Sequence, residues 1–287
     1  MPSSLLALFR TQQWMKNLFV FAPLLFSEHL FNQDAVIRSV IVFFAFCTAA
    51  SFNYILNDLL DRRSDRQHPK KRHRPLASGA VAVPPALFLA AILLLSGLGI
   101  AASLGTDVLI VVSGYILLNL WYSIHLKHLV AVDVITIALG FVLRLLAGTV
   151  AIDVAYSPWI FLCGFLLTLL LALSKRRQEL RVLFALQQPP ERTRRVLQHY
   201  KQQTLDRMIA ITVTATIITY VFYTLLASTS ATLMVLSVPF VILGLLRYLH
   251  LLREPKISDD PTDLLLSDRP LLMTLVAWIA AIGLILY

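Results

Sequence analysis

The chain has 287 residues, of which 58% are hydrophobic and only 14% charged, with a net charge of +9 and a mean hydropathy of +0.75. A water-soluble domain carries roughly 25% charged residues, so this balance excludes an ordinary soluble enzyme and describes a helical membrane protein. The cations lie between apolar runs rather than in a separate aromatic-studded basic domain, which argues against nucleic acid and for membrane orientation and phosphate-bearing ligands.

A membrane-crossing helix needs about 20 mostly apolar residues. Nine candidates follow in chain order: 14–31, 36–58, 82–104, 106–126, 131–152, 156–174, 206–227, 230–252 and 270–287. The first is short in apolar length and contains Pro23 within "LFVFAPLLF". The stretch ahead of it, "MPSSLLALFRTQQWMKN", is too broken by polar residues for a cleavable signal peptide. The second span ends in an acid-rich stretch, and the third opens on "VPP", which suits a helix N-terminus. The fifth carries Arg144 within "GFVLRLLAG", where Gly140 and Gly148, like Gly97 in the third, suit close helix packing. The longest polar insert, 175–205, is expected to hold an amphipathic helix with Val196, Leu197 and Tyr200 on one face. Cys47 and Cys163 both fall in apolar runs and read as small buried hydrophobes. The expected fold is all-α: one transmembrane domain over 1–287, with nine spanning helices.

Lysine and arginine set the orientation. Seven basic residues lie in 59–81 and eight in 175–205, with Arg10 and Lys16 at the start, Lys127 after the fourth span, and Arg253, Lys256 and Arg269 before the ninth. These segments alternate with ones holding only Arg38. By the positive-inside rule the charged loops and the N-terminus are cytoplasmic in a cell (inner) membrane. An odd number of spans puts the C-terminus on the opposite side.

The second span ends in "NDLLDRRSD", 57–65. On a helix, Asn57, Asp61 and Asp65 share a face, and Asp58 joins its edge. Like charges so placed repel unless a cation sits among them, and a hard divalent ion such as Mg2+ takes oxygen ligands shared with substrate phosphates. Asn57, Asp58, Asp61 and Asp65 are therefore the candidate metal ligands, with the three aspartates as catalytic residues. Asn53, one turn earlier, extends the polar stripe inward. "HPKKRHRP" follows, and its Lys70 and Arg74 are the preferred contacts to outer phosphate oxygens. The bland alternative is a solvated helix end on which Arg62, Arg63 and Arg66 pair with the acids.

"NDLLDRRSD" followed by "HPKKRHRPLASG" resembles the first aspartate-rich motif of the UbiA superfamily of intramembrane prenyltransferases. That resemblance implies nine helices around a central cavity open to the cytoplasmic side. Where the aromatic prenyltransferases of the superfamily carry a second aspartate-rich motif, this chain reads "LALSKRRQEL", 171–180, offering Lys175, Arg176, Arg177 and Glu179. Lost acids weaken the case for a second carboxylate-held metal, and gained cations suit another phosphate. Together with "QQWMKN", "GFVLRLLAG" and "DPTDLLLSDRPL", this motif resembles the decaprenyl-phosphate phosphoribosyltransferase branch. The resemblance implies transfer of 5-phosphoribose from phosphoribosyl pyrophosphate to a polyprenyl phosphate. Lys16, Lys70, Arg74, Arg144, Lys175, Arg176 and Glu179, with Asn53 and Asn57, would then bind substrates.

Alternatives stay open residue by residue. Arg144 contacts a phosphate deep in the cavity, or forms a structural pair, for example with Asp133. Lys16 binds phosphate, or merely snorkels to the interface. Asp259, Asp260 and Asp263, near Asp268 and Arg269, close over the donor, or are loop acids in solvent. Two rival functions remain: prenylation of an aromatic acceptor from a polyprenyl diphosphate, and a cation pore, which requires acids spread through the membrane depth rather than clustered at one mouth. A homo-oligomer is compatible with the sequence.

Overall fold

The computed structural model describes residues 5–67, 71–185, 195–226, 231–254 and 267–287. Among these, every regular element is helical. The α-helices, in chain order, are α1 (Ala22–Phe26), α2 (Gln33–Leu60), α3 (Arg62–Gln67), α4 (Pro75–Ser78), α5 (Val83–Leu104), α6 (Thr106–Ile124), α7 (Val132–Ala151), α8 (Pro158–Ala185), α9 (Gln202–Leu226), α10 (Ala231–Met234), α11 (Val238–Arg253) and α12 (Arg269–Leu286). Short 3-10 helices join several of them. The chain forms two compact units, Met1–Tyr156 and Ser157–Tyr287.

Among the described residues, eight helices are long and apolar enough to cross a membrane: α2, α5, α6, α7, α8, α9, α11 with its preceding 3-10 turn, and α12. They match eight of the nine expected spans. The remaining expected span, 14–31, takes another form. Thr11–Phe21 is a 3-10 helix that hands over to α1, which has Pro23 in its first turn and ends at Phe26. Pro23 has no N–H and its ring clashes with a carbonyl four residues earlier, so it sits where an α-helix begins, not inside one. Chain direction then changes at Glu28, whose φ of 62° is left-handed. Asn32 caps α2 by accepting a hydrogen bond from the Ala35 N–H at 3.1 Å.

In the first unit α2 is central. Val42, Ala45, Phe46 and Ala49 are buried against Ala86, Ala90 and Leu93 of α5, Val112 and Tyr115 of α6, and Ala147 of α7. Small residues set the closest approaches. A methyl group on Gly97 would meet Thr48 Oγ1 at 2.9 Å, and one on Gly148 would meet the Val20 carbonyl at 2.2 Å. The N-terminal 3-10 helix is thus pressed directly onto α7. Gly140, expected to pack in the same way, has no neighbour closer than 3.7 Å; its carbonyl instead accepts a hydrogen bond from Arg144. Cys47 is buried and free, and Cys163 is free and half-buried.

In the second unit α8 pairs with α9, and α11 with α12. Of the insert after α8, residues 195–205 are described as a 3-10 turn, Arg195–His199, and the start of α9. Val196, Leu197 and Tyr200 are buried, as their spacing suggests, though on a shorter element than a full amphipathic helix. Asp268 caps α12 by accepting from the Leu271 N–H at 2.8 Å, and takes a forked contact from Arg247 at 3.1 and 2.7 Å. Asp268 is therefore a cap rather than a free loop acid; Asp259, Asp260 and Asp263 lie outside the described residues. The hydrogen bonds from Arg247, with the cap and the nearby positive charge, hold the Asp268 carboxyl below the ordinary carboxylate range. A lowered folded pKa stabilises above the ordinary value, and the contribution disappears as pH falls through the lowered one. Asp268→Asn, which keeps a capping oxygen but loses the ion pair, is expected to melt below wild type at pH 7. The gap should close as the buffer is taken below about pH 4, and a gap that widens toward acid would refute the linkage.

Candidate active site

The acid-rich end of α2 is built by a break and two clamps. At 28 residues α2 is about 42 Å long, longer than the roughly 30 Å hydrocarbon layer, so its polar C-terminal end has room to project. The helix ends at Asp61, whose N–H still bonds the Asn57 carbonyl at 2.9 Å, and α3 restarts at once with the Asp65 N–H on the Asp61 carbonyl at 2.8 Å. Arg62 and Arg66, one turn apart on α3, donate from Nε to the carbonyls of Leu76 and Ala77, each at 3.0 Å. Leu76 is fully buried. These bonds fold the 62–78 segment back, so that Arg74, at the N-cap of α4, points at the acids.

Asp58 and Asp65 are each 3% exposed. Arg74 Nη1 bridges them, 3.0 Å from Asp58 Oδ1 and 2.7 Å from Asp65 Oδ2. Asp58 is also held by Arg10, whose Nη2 lies 2.6 Å from both carboxylate oxygens. Asp61 is more open and takes a separate cation, Lys127, at 2.7 Å. Three carboxylates thus meet three cations drawn from the N-terminal segment, the 62–78 fold-back and the turn between α6 and α7. The expected stripe of residues 57, 61 and 65 is resolved differently: Asp58 and Asp65 act as a pair, and Asp61 faces another partner. The reason is the turn at Asp61, which breaks the continuous helix that the spacing assumes. Among the described residues the Nε groups of Arg62 and Arg66 serve backbone carbonyls rather than the acids.

The other predicted residues are distributed as follows. Asn57 is half-buried, with no side-chain hydrogen bond among the described residues. Asn53 is 6% exposed, and neither its Oδ1 nor its Nδ2 has a hydrogen-bond partner. Lys16 donates to Gln13 Oε1 at 2.5 Å. Lys70 lies outside the described residues. Arg144 is not brought to the carboxylates. It lies 12 residues into α7, about 18 Å along the axis, and its Nε, Nη1 and Nη2 donate to Asn17 Oδ1, the Gly140 carbonyl and Tyr115 Oη at 2.8, 2.8 and 2.9 Å. The rings of Tyr115, Phe141 and Phe46 surround it at 4.6, 4.9 and 5.7 Å. A cation inside a spanning bundle needs such partners regardless of substrate.

In the second unit α8 carries the basic motif. Arg176 is 1% exposed and donates to Glu179 Oε2 at 2.6 Å, while Lys175 is half-buried. Arg177 pairs with Asp206 of α9 and donates to the Leu252 carbonyl at the end of α11 at 2.9 Å, so it ties three helices together. Beside it is a cavity of about 190 Å³ lined by Arg177, Asp206, Ile209 and Leu249, among others.

Sequence reading assigned no site role to Arg10 or Lys127. Each is an isolated cation in a short polar break of a very apolar chain, which is the signal that could have raised them.

The donor set suits a hard cation. The side chains offered are carboxylate and amide oxygens, two of the acids sit within 3.0 Å of one nitrogen, and a buried Asn53 amide has nothing to bond. Among the described residues, no group of three acid, His or Cys side chains forms a ready-made cage.

A model of the UbiA prenyltransferase family matches residues 18–266. The chain belongs to the UbiA prenyltransferase family. As a UbiA-family chain it is 32% identical to a decaprenyl-phosphate phosphoribosyltransferase of Mycolicibacterium smegmatis, over 99% of this chain and 93% of that one. It is also 32% identical to the enzyme of the same name from Corynebacterium glutamicum, over 97% and 85%. Its fold matches that of a UbiA homologue from Archaeoglobus fulgidus bound to DMAPP and Mg2+, with a TM-score of 0.77, 99% of both chains covered and 19% identity. The UbiA fold and the multi-pass membrane character expected from the sequence are those of the protein.

Proposed function

We propose that this UbiA-family protein is a magnesium-dependent transferase that moves 5-phosphoribose from phosphoribosyl pyrophosphate to a polyprenyl phosphate, releasing pyrophosphate. What carries this reading is the likeness, along nearly the whole chain, to decaprenyl-phosphate phosphoribosyltransferases. The site makes it chemically coherent. Asn57, Asp58, Asp61 and Asp65 would hold the metal, with Asn53 behind them. When bound there, the ion neutralises charge on the departing pyrophosphate. Arg74 and Lys127, already on the acids, can extend to phosphate oxygens, together with Lys16 and Lys70. Lys175 and Arg176, with Glu179 orienting Arg176, are assigned to a further phosphate. In the reaction the bond between ribose C1 and pyrophosphate oxygen breaks, and a bond from C1 to an oxygen of the lipid phosphate forms. That oxygen is already an anion at neutral pH, so no side chain need act as general base.

The chain works as one catalytic domain in a cell membrane, with the N-terminus and the acid cluster on the cytoplasmic side and the C-terminus opposite. This topology requires a ninth crossing, assigned to the 3-10 helix and α1. Eleven residues at about 2.0 Å and five at about 1.5 Å span close to 30 Å, enough for the hydrocarbon layer.

The test offers the purified protein, with Mg2+ and polyprenyl phosphate, either phosphoribosyl pyrophosphate or a prenyl diphosphate plus a hydroxybenzoate acceptor. Pyrophosphate is expected only from the sugar donor, with a lipid product heavier by one phosphoribosyl group. Release from the prenyl donor instead would replace this reading with aromatic prenylation.

A further inference from the structure

One of the two buried acids of the cluster is gripped by a cation that lies ahead of the family match. Arg10 Nη2 is 2.6 Å from both oxygens of Asp58, and Arg74 takes a further position on Oδ1. The backbone at Arg10 has φ 48° and ψ 51°, a left-handed conformation that side-chain-bearing residues rarely hold. Contacts on both sides fix it there. The Phe9 carbonyl accepts from Ser51 Oγ at 2.8 Å, and the Trp14 indole donates to the same hydroxyl at 3.1 Å. The guanidinium also lies over the Tyr54 ring at 5.2 Å. Strain upheld by neighbours at a residue that grips an acid is an arrangement for placing a charge.

We propose that Arg10 is a resident counter-cation of Asp58, satisfying this carboxylate while no donor is bound and competing with a divalent ion for both its oxygens. The inference rests on the reading that the cluster holds a metal beneath a diphosphate. A buried carboxylate that stays ionised needs a countercharge, and Arg74, shared with Asp65, supplies only part of one. If a bare divalent ion displaced Arg10, the guanidinium would be left beside a like charge. When the ion arrives with a diphosphate, whose charge exceeds its own, Arg10 has an anion to turn to, and its fork suits phosphate oxygens. The metal therefore enters together with the donor, and Arg10 enforces that order as a positioning residue.

Magnesium chloride alone, titrated calorimetrically into the donor-free full-length protein in detergent, tests this on wild type, Arg10→Gln and Arg10→Lys. Affinity for the metal is expected to tighten at least tenfold in the glutamine variant. It should tighten about threefold with lysine, whose single ammonium covers the two oxygens less well. In an Asp58→Asn background, the Arg10 substitutions should leave metal affinity unchanged. A merely structural Arg10 predicts weaker binding, so unchanged or weakened affinity in the Arg10 variants overturns the proposal. If the glutamine variant does not fold, the lysine variant decides alone. No donor is present in the titration, so a failure of the phosphoribosyl reading in the donor assay is distinguishable from a failure here.

Discussion

Asp58→Asn is expected to lower kcat/KM for the sugar donor by about 10³-fold, with Asp61→Asn close behind, while both proteins remain folded. Asparagine keeps the shape of the side chain and one acceptor oxygen but removes the charge that attracts a divalent ion. Asp58 should be the more sensitive because it is buried and shared between Arg10 and Arg74, so water cannot readily replace it. Asp61 is 30% exposed at its side chain, where it meets Lys127, which leaves water able to replace part of its role. Pyrophosphate release measures the loss, and a melting curve in detergent checks the fold. Turnover within a few-fold of wild type in both variants would remove the cluster from the chemistry.

Arg144→Met has the largest expected effect on stability. Methionine fills much of the volume, yet it strands Asn17 Oδ1 and the Tyr115 hydroxyl in the interior and removes the charge from a ring of three aromatic faces. Each stranded polar group costs about 1–3 kcal/mol, so a loss of roughly 2–5 kcal/mol is expected. The damage should fall first on the N-terminal segment, because Asn17 ties that segment both to Arg144 and to Cys47, at 3.3 Å. Faster amide exchange across residues 11–21 is the local signature. The rival role, a phosphate ligand deep in the bundle, predicts an unchanged melting temperature and a raised donor KM. That pattern would overturn the structural assignment.

Eight spans were legible because a run of about 20 apolar residues in a chain this poor in charge has few other fates. The form of the first was not legible, because it depends on Pro23 and on a carbonyl of Val20 wedged against Gly148, a contact between residues 128 apart that no local pattern encodes. The acids of the site were legible for a similar reason: Asp58, Asp61 and Asp65 have no ordinary purpose beside so much hydrocarbon. Their partners were hidden. Arg10 is 48 residues from Asp58 and Lys127 is 66 from Asp61, distances closed only by helix packing. Adjacent cations such as Arg62 and Arg66 looked like the natural partners, but their task is to bend the chain onto its own carbonyls. Arg144 shows the opposite error: a conspicuous charge suggested a ligand, where the surroundings supply neutral acceptors and rings.

The counter-ions of the acid cluster also have a biosynthetic order. Arg10 leaves the ribosome before Asp58, Arg74 soon after, and Lys127 only when the third long helix is already made. During synthesis, therefore, Asp58 can be accompanied almost from its first appearance, while Asp61 waits for more than sixty further residues. A nascent chain that stops short of residue 127 lacks the cation that meets Asp61 in the folded protein.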